Sequence, residues 1–83
     1  MDKKKVIDLV NSTRGVHVEI KGEDYEIVGL AENSTGIIGV TVKSIEDLGG
    51  YGNYEEQIED IAFEELEGCK FFVGRKELVE VQV

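Results

Sequence analysis

Nine carboxylates stand between Ser44 and Glu67 with no Lys, Arg or His among them: Glu46, Asp47, Glu55, Glu56, Glu59, Asp60, Glu64, Glu65 and Glu67. Carboxylates at this density suit three kinds of chemistry. They ligate hard cations, share protons in acid–base catalysis, or present a negative surface to a basic partner. Calcium and magnesium need oxygens that converge on one point, and no Asp-x-Asp-x-Asp-Gly loop occurs. The Glu-x-x-His pairing of carboxylate-bridged metal bundles is absent too. Acid–base work needs two acids in unlike environments, one of them desolvated, and these residues read as uniformly exposed. The expectation is therefore no metal, no cofactor and no catalytic residue in this segment.

The same segment carries helix signals. Asn53 with Glu56 three residues later is a capping-box pattern, and Gly68 is a natural stop. A helix over Tyr54–Glu67 would gather Ile58, Ile61, Ala62 and Leu66 on one side. Glu56, Asp60, Glu64 and Glu67 would then form a stripe about 16 Å long. Like charges at i, i+4 cost such a helix about 0.2–0.5 kcal/mol per pair. Acids near its C-terminus also oppose the macrodipole. Two readings follow. The stripe, with Glu46, Asp47, Glu55, Glu59 and the glycine-flanked Tyr51, is a docking surface for a basic protein. Alternatively it is a solvated, solubilising face, relieved by Lys70, Arg75 and Lys76 folding nearby.

Three other features invite chemistry and read more plainly. His17 is the only histidine and alternates with Val16, Val18 and Ile20, which puts it on the surface side of a strand. Cys69 is the only cysteine, so no internal disulfide forms, and it reads as a small hydrophobe at a strand start. Gly49-Gly50-Tyr51-Gly52-Asn53 precedes the expected helix but lacks the Lys-Ser/Thr ending of a phosphate loop. Glu55 and Glu56 directly behind it would repel phosphate. These residues read as a loop tip.

The elements that must position these residues follow from periodicity. Asp2 caps a first helix reaching about Ser12, with Val6, Ile7, Leu9 and Val10 as its apolar side. Val16–Lys21 alternates strictly, and Tyr25–Leu30 returns after a tight connection at Gly22-Glu23-Asp24. Glu32–Gly36 is a turn, and the β-branched run Ile37–Lys43 is a third strand. Gly29 and Gly39 mark bulges or close backbone approach. After the acidic helix, Cys69–Val73 and Glu77–Val83 form two more strands about a turn at Gly74-Arg75-Lys76. The order is α-β-β-β-α-β-β: one α+β domain over residues 1–83, with two helices and a small, mainly antiparallel sheet. At 83 residues and 41% hydrophobic content the core is modest.

Net charge is −9, from 9 bases and 18 acids. Outside Ser44–Glu67 the acids and bases balance, so the whole excess lies in 24 residues. No apolar run is long enough to span a membrane, and Lys3-Lys4-Lys5 is not followed by the apolar stretch of a signal peptide. A cytoplasmic protein is expected. The order α-β-β-β-α is also that of double-stranded-RNA-binding domains, but those need a basic face. Here the second helix is the most acidic part of the chain, which argues against direct nucleic-acid contact.

In size, element order and Ser44–Glu67 acidity the chain resembles the loose class of small acidic phage-type inhibitors, which includes anti-CRISPR proteins and uracil-DNA-glycosylase inhibitors. The resemblance spans the whole chain without residue-level correspondence, so it transfers no functional residues. It implies a nucleic-acid mimic from a phage or mobile element that occupies the basic groove of its target. The resulting expectation is a non-enzymatic inhibitor, monomer or homodimer. It would dock its acidic helix and loop on a basic, nucleic-acid-binding protein. Two alternatives remain: a self-assembly module pairing through the edge Val79-Glu80-Val81-Gln82-Val83, or a small ligand-binding domain or enzyme using His17 or Cys69.

Overall fold

The computed structural model describes residues 1–47, 52 and 54–83. Helix α1 (Lys3–Ser12) starts where Asp2 caps it, its carboxylate accepting from the backbone N–H groups of Lys4 (2.9 Å) and Lys5 (3.4 Å). Such a cap satisfies amides that the first helical turn leaves unpaired. Strand β1 (Val16–Ile20) turns at Lys21 and Gly22 into β2 (Glu23–Asn33), with Ile20 paired to Glu23. Both turn residues have positive φ, 51° and 80°, as a two-residue type I′ hairpin demands. Asn33 Oδ1 accepts from the Thr35 N–H (2.8 Å), closing the turn into β3 (Gly36–Asp47).

Among the described residues the structure has an α+β fold with two helices and an antiparallel sheet, in the order helix, strands, small helix, strands. Among the described residues the sheet has six strands, because Tyr54–Ala62 is a strand, β4, and not the first two turns of a helix. Only Phe63–Leu66 is helical there, as α2. Nine residue pairs, from Gly39↔Ala62 to Asp47↔Tyr54, zip β4 onto β3. The reason is partly local and mostly tertiary. A helix would stack Glu55 on Glu59 and Glu56 on Asp60, like charges one turn apart. In the strand, Asp60 instead faces Thr41 and Glu56 comes near Lys43. Val40 and Val42 of β3 also gain a second neighbouring strand, which outweighs local helix propensity.

Strands β5 (Lys70–Val73) and β6 (Val79–Val81) complete a sheet of order β4-β3-β2-β1-β5-β6. β1 to β4 form a meander, and the chain returns through α2 to place β5 beside β1. The terminal strand is thus an edge, as the alternation suggested, but it covers three residues where seven alternate. Val16, Val18, Ile27, Val40, Val42, Ile61 and Phe71 face one side, where Val6 of α1 and Phe63 and Leu66 of α2 close the core. Register puts Phe72, His17, Glu26, Lys43 and Ile58 in one row across the opposite side. A two-sided antiparallel sheet tolerates this mixture because one face meets water.

Candidate acidic interface

β4 is an edge strand, so its alternation sends acids to both sides of the sheet margin. Glu55 and Glu59 lean to the helix side, Glu56 and Asp60 to the open side, and all four are exposed. Strand geometry spaces them differently from the expected stripe. Four carboxylates fall within about 17 Å, much the length over which the helix would have carried four, but here they alternate between the two sides of the sheet margin. Glu64 and Glu65 follow on α2 and Glu67 ends it, also exposed. The two α2 acids sit in the first turn, so they do not oppose a helix dipole as the longer helix would have required.

Partners within the chain are few. Among the described residues, this segment forms ion pairs from Glu56 to Lys43 Nζ (3.6 Å) and from Glu67 to the Met1 amino group (3.4 Å). Lys43 Nζ also lies 3.7 Å from Glu26, so it is shared. Thr41 Oγ1 donates to Asp60 Oδ1 (2.7 Å). The ammonium of Lys3 lies 5.7 Å from the Phe63 ring centroid. Lys70, Arg75 and Lys76 belong to β5 and the β5–β6 connection, near the far edge of the sheet, about 20 Å away at strand spacing. Among the described residues none of them forms an ion pair with the β4 acids, although Lys70 follows Glu67 by three residues.

The remaining anticipated site residues divide as follows. Glu46 and Asp47 pair by backbone with Glu55 and Tyr54 at the end of β3. Tyr51 lies outside the described residues. His17 does face away from the core, and its Nδ1 lies 3.2 Å from Asp24 Oδ2. Cys69 is half-buried, with Sγ 3.6 Å from the Glu65 carbonyl oxygen, and burial pushes its thiol pKa up. Among the described residues no three His, Cys, Asp or Glu side chains group as metal ligands would. No described helix is long and apolar enough to cross a membrane.

One arrangement escaped sequence reasoning. Tyr25 on β2 donates to Glu23 Oε2 (2.7 Å) and also feels the charge of Glu59. That hydrogen bond first, then burial and the two carboxylates, raise its phenol pKa above the ordinary tyrosine value. The i, i+2 spacing of Glu23 and Tyr25 on one strand face was the only sequence signal, and the approach of Glu59 depends on β4. No family model, curated protein or solved structure matches the chain.

Proposed function

We propose that this chain is a non-enzymatic binding module that docks its acidic margin, β4 and α2, on a basic protein, most simply a nucleic-acid-binding protein that it inhibits. The observation that carries the reading is the confinement of charge. The whole net charge of −9 comes from Ser44–Glu67. The β4 acids of that segment line one edge, and the bases of β5 and its turn stand toward the other. The four β4 acids average about 5–6 Å apart along the margin, sparser than the roughly 3.4 Å per charge of a nucleic-acid strand, so the acids of α2 would have to add to them. A surface of this kind would steer a basic partner by long-range attraction and bind in a salt-sensitive manner.

Affinity capture from a bacterial lysate, at low and at moderate salt, tests this. Wild type is compared with the triple variant Glu55→Gln/Glu56→Gln/Glu64→Gln. These residues lie outside the core, so the fold should survive. The expected outcome is a basic protein retained by wild type, released by salt and competed by DNA, with association at least about tenfold slower for the variant. Retention unchanged by both salt and neutralisation would refute the acidic-margin reading.

A second reading rests on the opposite edge. Leu78 and Val79 are 42% and 59% exposed beside the unpaired side of β6, which suits pairing with a second copy. Light scattering at two concentrations separates a monomer from such a dimer.

A further inference from the structure

Between the β1–β2 hairpin and the β4–α2 corner lies a cleft of about 390 Å³, lined by Ile20, Lys21, Tyr25, Glu59, Ile61 and Glu65. Its chemistry is mixed in a particular way. Ile61 is 8% exposed and Ile20 half-buried, and the two supply an apolar lining. Tyr25 supplies an aromatic wall, and Glu59 and Glu65 supply anionic groups from β4 and α2. Outside the lining, Glu23 accepts a hydrogen bond from the Tyr25 hydroxyl. Lys21, in the turn at a φ of 51°, also lines the cleft but forms no ion pair with either carboxylate. Among the described residues no ion pair reaches Glu59 or Glu65.

We propose that this cleft receives a single arginine side chain of the basic partner, an inference that rests on the acidic-margin reading and gives it a point of specificity. Three features select that occupant. The carboxylates complement a cation. The apolar lining suits the methylene stem of a long basic side chain, which buries its stem and keeps its head polar. A tyrosine wall beside carboxylates favours a planar guanidinium, which stacks on the ring while its N–H fork meets the carboxylate oxygens. A compact ammonium offers neither match, and a hard metal ion would leave the aromatic and aliphatic lining unused. The margin would then attract the partner, and the cleft would fix its register.

The test is an amide NMR titration at low salt with the capped tripeptide acetyl-Gly-Arg-Gly-amide. Its isostere, in which neutral citrulline replaces arginine, is the control. Support consists of saturable shifts centred on Ile20, Tyr25 and Ile61 with the arginine peptide and none that saturate with citrulline. Binding should also weaken about tenfold in Glu59→Gln/Glu65→Gln, as expected for lost charge-assisted hydrogen bonds. Glu55→Gln/Glu56→Gln should leave it within about twofold, because those charges act only at longer range. Saturation by citrulline, arginine shifts spread evenly along β4, or full affinity in Glu59→Gln/Glu65→Gln would each overturn the proposal. If the cleft variant still captures the lysate partner in a salt-sensitive way, the cleft inference fails and the acidic-margin reading stands. If capture fails for wild type as well, that reading falls on its own evidence.

Discussion

Gly39 sits where β3 passes under the β4 backbone, and a Cβ there would collide with the Ile61 carbonyl and the Ala62 Cα. Both colliding groups are main chain, so no rotamer change relieves them. Gly39→Ala should destabilise by about 1–3 kcal/mol, the range for overpacking, read from urea unfolding midpoints. Gly15 is a similar case, with φ of 72° and the Gly74 carbonyl 2.7 Å from an added Cβ. Tyr25 makes a pH prediction. Its phenol pKa is raised on folding, so the associated stability is complete below the unfolded value of about 10 and is lost as pH climbs through the folded one. Unfolding midpoints measured from pH 9 to 11 should therefore fall less steeply in Tyr25→Phe than in wild type. Cys69, its thiol pushed up by burial, should react with iodoacetamide more slowly than free cysteine at pH 8. Urea should abolish that difference.

At the scale of the element, β4 and the rejected helix make opposite demands on two isoleucines. A helix over Tyr54–Glu67 would bury Ile58 and Ile61 together. In the strand they point to opposite faces, Ile61 at 8% exposure and Ile58 at 66%. Ile61→Ala should then cost about 2–4 kcal/mol, whereas Ile58→Ala should stay within about 0.5 kcal/mol. Equal and large losses in chemical denaturation would restore the helix. Most other elements were legible, because each carried its own local signal. Asp2 and Ser12 bound α1 as expected, and Gly29 adjoins a bulge in β2. β4 was not legible, since Tyr54–Leu66 satisfies helical periodicity and capping rules in isolation. The like-charge pairs counted against the helix were the one local hint of a strand.

For the whole molecule, the two sheet edges are protected differently. β6 is short, and β4 is nine residues long but dense in acids. Charged side chains on a long edge disfavour sheet-to-sheet pairing, so the residues that would attract a basic partner would also oppose edge pairing between copies. The variant Glu55→Gln/Glu56→Gln/Glu59→Gln/Asp60→Asn should therefore self-associate at concentrations where wild type does not, measured by light scattering. A variant that stays monomeric would show that the acids are not needed for edge protection.

The sequence by itself determined the α+β class, the capped first helix, the β1–β2 hairpin and the confinement of negative charge, because each rests on residues near one another in the chain. Tertiary structure alone decided that Tyr54–Ala62 is a strand, that its acids occupy a sheet margin opposite the bases of β5 and the β5–β6 turn, and that Tyr25 and Glu59 share a cleft. The physical reason is the same in all three. A strand is stabilised by its neighbour, and the pairing of β4 with β3 is a long-range contact that no local pattern encodes.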